Sequence, residues 1–505
     1  MNRVLSSQQM KDLDKRTIEE FGLPARVLME NAGRGCADHL LRRFPDVLKG
    51  IVIILHGAGN NSGDGFVIAR WLAGVGVKVL LLKITGDKFT NESRLNFELC
   101  EKMGLNCMEW SSTSALAKHL LHRCSMVIDA VFGIGFHGAL PSDVAEVFAE
   151  VNSLPSLKIA IDIPSGVDSD SGRADNLAFH ADHTLAIHGY KTGHLLHQGR
   201  LHSGILHKIP IGIPWLYHND LPMQELISDS NHVCPVRNQD AHKGDYGRVY
   251  VLGGSVGFTG SAALAARAAL RSGAGFVYLC SRAELSVHYT AIPPEIMFRA
   301  IPTDDKTGSP DLEKLGSELS RSSAVLIGPG MGLDAYALKI LTYVLGHVYV
   351  PIVVDADALT LIASNTKLHK HLAQPNVLLT PHYGEFARLT GKSVDEIIAD
   401  TLTSLRVYLA KTKAKVLLKG HTTIFCDDSR TLFSISGNDG LATGGSGDVL
   451  GGIIASFCAQ SMEPGKAAIN AAHLMGKTAE KLAETKSTAA IIPSDIIDHL
   501  FVKTT

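Results

Sequence analysis

Aromatic residues are scarce, 6% of 505, which argues against a base-stacking platform for nucleic acid. Neither charge is in excess: 48 Lys and Arg face 50 Asp and Glu, a net charge of −2. A polyanion-binding surface over the whole molecule is therefore not expected, while a local phosphate site stays compatible with that balance. The eight cysteines are scattered, with no Cys-x-x-Cys pair. Neither a disulfide framework nor a zinc site is expected from them, and a reducing, cytoplasmic setting is. No uninterrupted apolar stretch of about 18 residues occurs, so no membrane span is expected. The leading MNRVLSSQQMKDLDKR lacks the apolar core of a signal peptide. Gly-x-x-x-x-Gly-Lys-Ser/Thr is also missing, which excludes a Walker loop as the phosphate holder.

Hydrophobic residues make up 45%, charged residues 19%, and glycine is frequent at 48. That composition suits packed cores joined by tight strand-to-helix turns, and the length suits two or three domains. Apolar runs at Ile51–Leu55, Val77–Ile84, Met126–Ala130 and Lys158–Ile163 read as buried parallel strands joined by crossover helices. Helices are expected over Ser6–Glu20 and Ala25–Phe44. Periodicity fails beyond Ile209, in a stretch rich in Pro, Asn, Asp and Ser. A first domain over 1–222 and a second over 233–505 follow. Alternation resumes with strands at Arg248–Leu252, Phe276–Cys280, Ala324–Ile327, Ile352–Asp355, Asn376–Leu379 and Lys415–Lys419, and helices near Ser261–Arg271 and from about Gly447. The fold class is α/β in both halves.

In the first half, GNNSGDGF (Gly59–Phe66) directly follows a strand. Consecutive small residues can turn their N–H groups toward one anion, and a helix beginning after them would add its dipole. A tight turn of αL-tolerant residues is the plainer reading. Asp129 ends a strand before the Gly-rich FGIGFHGA (Phe132–Ala139), and Asp162 ends another before Pro164–Ser165–Gly166. Strand ends in a parallel sheet share one crevice, so Asn61, Asp129 and Ser165 could form an oxygen cradle for a hard cation. Asp129 and Asp162 as simple turn caps is the alternative.

LMENAG (Leu28–Gly33), GNNSGDGF, VIDAVFGIGF and DIPSGVD together resemble the NAD(P)HX epimerase family over most of residues 1–220. The resemblance implies a Rossmann-like three-layer sandwich that interconverts the two epimers of hydrated NADH and NADPH. It further implies a potassium ion on Asn61, Asp129 and Ser165. The hydrated nucleotide would be held by Asn60, Asn61, Ser62, Gly63 and Asp64, by Gly133, Ile134, Gly135, Phe136, His137, Gly138 and Ala139, and by Asp162. Epimerisation requires the C6–oxygen bond to open with help from the ring nitrogen and to close from the other face. Asp162 is the candidate proton shuttle.

In the second half, TGGSGDVLGG (Thr443–Gly452) leads small residues into an apolar helix. Its first amides, Gly445 to Gly447, would face an anion, and Asp448 could take the proton of a hydroxyl attacking a phosphoryl group. A capped helix with Asp in a favourable dipole position is the plainer reading. With IGPGMG (Ile327–Gly332), VVDADAL (Val353–Leu359), LLTPHYGE (Leu378–Glu385), LKGHTTIF (Leu418–Phe425), HKGDYG and GGSVGFTGSA, this segment resembles the ADP-dependent NAD(P)HX dehydratase family over about 235–500. That family has the ribokinase-like fold. The resemblance implies phosphorylation of the C6 hydroxyl by ADP with Mg2+, loss of phosphate, and release of AMP. Ser261, Gly332, His382 and Asp448 would contact the hydrated nucleotide, and Lys419, Gly420, His421, Thr422, Thr423 and Gly447 the adenine nucleotide. Asp448 is the candidate base.

The expected partners are NADHX, NADPHX and ADP, with no nucleic acid and no membrane, and a homo-oligomer is expected. The rival readings are a vitamin or sugar kinase with an accessory nucleotide-binding domain, and a non-catalytic nucleotide-binding scaffold. Seven histidines between His180 and His207 raise the question of a metal site. The intervening strand and turn would scatter their rings over both faces. Lys191 and Thr192 follow that strand and line the first cleft.

Overall fold

The computed structural model describes residues 2–86, 88–111, 114–304 and 306–501. Its secondary structure falls into two units, Asn2–Pro222 and Met223 onward. In the first, seven parallel strands form one sheet: β1 Ile51–His56, β2 Lys78–Lys83, β3 Asn106–Glu109, β4 Met126–Ala130, β5 Leu157–Ile161, β6 His183–Ile187 and β7 Ile205–Ile209. Their spatial order is β3-β2-β1-β4-β5-β6-β7. Side chains alternate between two cores. Val52, Ile54, Ile128 and Ile159 pack toward Ala32, Cys36 and Leu40 of the helix Ala25–Arg43. Ile53, Leu55, Val127 and Ala160 pack toward Val144, Val147 and Phe148 of the helix Ser142–Asn152. Burial on both faces explains why these strands read as continuous apolar runs.

The chain runs outward from β1 to β3 and then returns to place β4 on the other side of β1. This reversal opens a crevice at the carboxyl ends of β1 and β4, the place where open α/β sheets bind ligands. The N-terminal segment reaches the same region. Val4–Leu5 pairs in parallel with Tyr190–Lys191, and the helix Ser7–Glu19 follows with a capping box between Ser6 and Gln9.

The second unit holds ten strands: β8 Met223–Ile227, β9 Arg248–Leu252, β10 Phe276–Ser281, β11 Ile296–Ala300, β12 Ala324–Ile327, β13 Ile352–Val354, β14 Val377–Leu379, β15 Lys415–Leu418, β16 Thr423–Cys426 and β17 Arg430–Ser434. Their order is β8-β17-β16-β15-β14-β13-β12-β9-β10-β11, with β16 antiparallel to both its neighbours. The reversal here lies between β9 and β12. Across the sheet runs the helix Ser446–Ala459, buried at every residue from Val449 to its end. It packs on the alanine-lined helix Thr259–Arg271. The fold class is the expected one, α/β in both units. Among the described residues no helix is long and apolar enough to cross a membrane.

Several expectations change. The strand read as Lys158–Ile163 ends at Ile161, because Asp162 turns out of the sheet with φ 65°. The loop expected at Gly59–Phe66 is already helix from Asn60. Met223–Ile227, read as part of an aperiodic linker, is an edge strand paired in parallel with Arg430–Ser434. The second unit therefore begins at Met223 rather than 233. Its five residues bury Gln224 and Glu225, so polarity concealed a strand whose partner lies some 200 residues on in the sequence.

Gly452 marks a close helix–helix approach: a Cβ there would sit 2.1 Å from the Ala265 carbonyl oxygen. Gly452→Ala should cost roughly 1–3 kcal/mol, read as a lower urea midpoint for the second unit with the first unit's transition unchanged.

Candidate functional site

The crevice of the first unit is a cleft of about 1060 Å³. The start of the helix Asn60–Gly74 and the segment Val131–Ala139 line it, together with Asp162, Lys191 and the helical residues Met10, Lys11 and Asp14. Asn61, Asp129 and Ser165 meet behind it at the backbone of Phe132. Asn61 Nδ2 donates to the Phe132 carbonyl at 2.8 Å. Ser165 Oγ accepts from the Phe132 N–H at 2.8 Å and donates to Asp129 Oδ1 at 2.7 Å. The Ser165 and Val131 N–H groups also donate to the Asp129 carboxylate. Burial nevertheless pushes the Asp129 carboxyl up to about 6, against those lowering hydrogen bonds. Asn61 Oδ1 is buried and has no partner.

At the cleft wall, the ammonium of the fully buried Lys191 donates to Asp162 Oδ1, to the Ile187 carbonyl and to the Gly189 carbonyl. His194 stands behind them, with Nδ1 accepting from the Lys191 N–H and Nε2 donating to the Asp162 carbonyl. Burial, then the Lys191 charge, lowers His194 to about 4, which keeps it neutral. Two further carboxyls face this pair. Burial pushes Asp14 up to about 6, with Lys191 opposing and Asp162 adding. Burial and the charge of Asp162 hold Asp64 well above the usual carboxylate range. Desolvation disfavours the charged form of each.

In the second unit, two adjoining pockets sit at the carboxyl ends of the central strands. The larger, about 610 Å³, is lined by His421, Thr423, Ser436, Asn438, Leu441 and Met475, among others. The smaller, about 290 Å³, is lined by Ser261, Asp355, Asp357, Glu385 and Asp448, among others. His382, Lys419 and Gly447 line both. Lys419 Nζ is 2.6 Å from the buried Asp355 carboxylate. Gly445, at φ 97°, turns the chain into the helix, and a Cβ on it would strike Leu264 at 2.6 Å. The Ser446 N–H is engaged by the Thr443 carbonyl, which narrows the expected anion hole from Gly445–Gly447 to the Gly447 end. Burial pushes Asp448 up to about 6; Asp355 adds to this, while a hydrogen bond from Ser261 and the charge of Lys419 oppose it.

Residues 249–501 match the family model described as NAD(P)H-hydrate dehydratase, and residues 25–193 match that of the YjeF-related protein N-terminus. A Moorella thermoacetica protein named bifunctional NAD(P)H-hydrate repair enzyme Nnr is 35% identical, over 98% of this chain and 96% of its own length. The chain belongs to the bifunctional NAD(P)H-hydrate repair enzyme family. An Escherichia coli protein of the same name is 32% identical, over 96% of this chain and 91% of its own. A ribokinase-like superfamily protein of Enterococcus faecalis aligns with 55% of this chain and 94% of its own, at 28% identity and a TM-score of 0.48.

Within this family member, most residues singled out from sequence come together. Asn60, Asn61, Asp64, Gly133 to His137, Ala139 and Asp162 line the first cleft. Ser62 and Gly63 do not. The Ser62 hydroxyl accepts from the Gly57 N–H and donates to the Ala130 carbonyl, each at 2.8 Å, tying the helix start to two strand ends. Gly63 makes room for Met29, which a Cβ would meet at 2.5 Å. Gly138 supplies a turn at φ 88° beside the lining residues. Gly332 lies outside the pocket lining but donates its N–H to Asp357 Oδ2 at 2.9 Å, and Thr422 is buried. The remaining nucleotide candidates Gly420, His421 and Thr423 line the larger pocket. Histidines of the 180–207 group meet other histidines or backbone: His183 Nδ1 is 2.9 Å from His207 Nε2, His188 Nε2 is 2.9 Å from His218 Nε2, and the rings of His180 and His202 pack together.

The sequence reading missed Asp14 and the Ser436–Asp439 wall. QMKDLDKR reads as an ordinary charged helix face, and the wall belongs to a turn without a distinctive motif. Asp355, Asp357 and Glu385 were visible as acids near strand ends but received no role.

Replacing Lys191 by Met would leave Asp162 and two carbonyls without their donor. A loss of about 3–5 kcal/mol is expected, measured as the urea midpoint of the first unit.

Proposed function

We propose that the chain is a bifunctional nicotinamide-nucleotide repair enzyme. Its first domain interconverts the R and S forms of hydrated NADH and NADPH, and its second dehydrates the S form with ADP, releasing AMP and phosphate. The observation that carries this reading is the pair of adjoining pockets sharing His382, Lys419 and Gly447, with Asp448, in the first helical turn beside Gly447, lining the smaller one.

Asp448 takes the proton of the C6 hydroxyl, and the oxygen attacks the β-phosphorus of ADP as AMP departs. Lys419 and the helix N-terminus at Gly447 stabilise the charge on the transferring phosphoryl group. Phosphate is a far better leaving group than hydroxide. The ring nitrogen expels it, and loss of the C5 proton restores the reduced ring. His382 accepts at Nδ1 from the Gly384 and Glu385 N–H groups, so its Nε2–H can donate to substrate. Ser261 and the Gly332 turn shape the substrate side. Gly420 to Thr423 hold the adenine nucleotide. Mg2+ would neutralise diphosphate charge, with Asp355 and Asp357 the carboxylates at hand.

In the first domain, Asp162 exchanges a proton with the C6 hydroxyl. The Val131–Ala139 segment and the helix start enclose the nucleotide. Potassium fits the cradle behind the cleft because every available donor is oxygen: the orphaned Asn61 Oδ1, the Phe132 carbonyl, Asp129 and Ser165. The ion would lock the Phe132 segment to the helix start.

Incubation with ADP and hydrated NADH should regenerate absorbance in the NADH band with stoichiometric AMP. A stable phosphate ester as the end product would instead mark a small-molecule kinase. Asp448→Asn should lower dehydration by about 10²–10⁴-fold while epimers still interconvert. Because the base must be ionised, the wild-type dehydration rate should rise as pH climbs through about 6, where burial places Asp448. Exchanging potassium for choline should slow epimer interconversion and lower the thermal midpoint of the first domain.

A further inference from the structure

Interconverting two faces of one carbon needs a proton delivered as the hydroxyl leaves and a proton removed as water returns. One carboxylate can do only one of these at a time, so the chemistry calls for a second group in the first cleft. Among the ionisable side chains lining it, four come from different elements: Asp162 at the end of β5, Lys191 after β6, Asp64 on the helix Asn60–Gly74, and Asp14 on the helix Ser7–Glu19. Lys11, on the same helix as Asp14, and Lys88 and His137 on the loops also line the cleft.

Asp162 is occupied as an acceptor, taking the Lys191 ammonium and the Ile187 N–H. Asp14 is in the opposite condition. Its Oδ1 is the one carboxylate oxygen among the described residues that is buried with no hydrogen-bond partner. A buried carboxylate oxygen without a donor is costly. The cost falls when the group carries a proton, and the proton then has a use when a hydroxyl arrives. Its helix is also held firmly. The Ser7 N–H donates to Asp170 Oδ1 at 2.7 Å, Ser6 and Gln9 close a capping box, and Leu13 beside it is buried. Asp14 is thus a fixed group rather than a mobile surface acid.

We propose that Asp14 is the general acid of the epimerase site, donating its proton to the departing C6 hydroxyl while Asp162 serves as the base for water adding to the opposite face. This rests on the epimerase reading above. The C6–oxygen bond breaks, the Asp14 proton goes to the oxygen to make water, and the nitrogen lone pair forms the C=N bond of a ring cation. Water then adds from the other side, its extra proton passing to Asp162. One proton has moved from Asp14 to Asp162, and the reverse reaction or exchange with water in the open cleft returns it. Desolvation, opposed by Lys191 and reinforced by Asp162, pushes Asp14 up to about 6, near working pH. Asp64, held well above the usual range, is the weaker donor.

The test follows the conversion of purified R epimer to S epimer by chromatography, in the full-length protein without ADP. Interconversion by the wild type above the uncatalysed rate establishes the epimerase reading; without it that reading fails, whatever the role of Asp14. Given it, the wild-type rate should fall as pH rises through about 6, because the acid must hold its proton. Asp14→Asn should reduce kcat by about 10²-fold or more, change KM less than threefold, and abolish that pH dependence. Dehydration of S epimer with ADP, carried out in the other domain, should be unchanged. A wild-type rate without the decline near pH 6 overturns the proposal on native protein alone. So does an Asn variant keeping more than a tenth of wild-type kcat, or one whose loss lies in KM with the decline retained.

Discussion

Both domains place an aspartate–lysine ion pair at the mouth of a mostly or wholly parallel sheet and set a second, desolvated aspartate beside it. In the first domain the pair is Asp162 with Lys191, and the neighbour is Asp14. In the second the pair is Asp355 with Lys419, and the neighbour is Asp448. Burial pushes each neighbour to about 6. A buried ion pair contributes little net stability, since desolvation offsets most of the attraction. What it supplies is a fixed local field, and that field sorts chemically identical carboxyls into different protonation roles.

Each fold brings these groups together through its topological reversal. The connections leaving β1 and β4 lead to opposite sides in the first sheet, as do those leaving β9 and β12 in the second, and helix starts line the crevice between them. Close helix packing then holds the geometry. Around Gly452 the backbone of one helix lies where a side chain would otherwise stand, so the turn that carries Asp448 is anchored by a core with no room to shift. In the first domain the Ser62 hydroxyl does comparable work, bridging the ends of β1 and β4 beneath the cleft.

Much of this was legible in one dimension. Strands buried on both faces appear as unbroken β-branched runs, and glycine-rich segments after them mark the cleft, so the central strands and the segments Asn60–Asp64, Gly133–Ala139 and Gly445–Asp448 stood out. The edge strand Met223–Ile227 did not, because Gln224 and Glu225 hide its alternation and its partner Arg430–Ser434 is remote in sequence. Ser62 and Gly63 looked like ligand residues, because a loop that holds an anion and a helix start packed against strand ends call for the same small side chains.

The sequence by itself determined that there are two α/β domains, that each has a Gly-rich phosphate-scale turn, and that Asp129, Asp162 and Asp448 lie at strand or helix ends, since these are local consequences of periodicity and turn chemistry. Only tertiary structure decided that Asp14 joins Asp162 and Lys191, that Lys419 is held by Asp355, and that burial raises Asp14 and Asp448 above the usual carboxylate range. Those properties depend on desolvation and on charges brought together from distant segments, and neither quantity exists until the chain has folded.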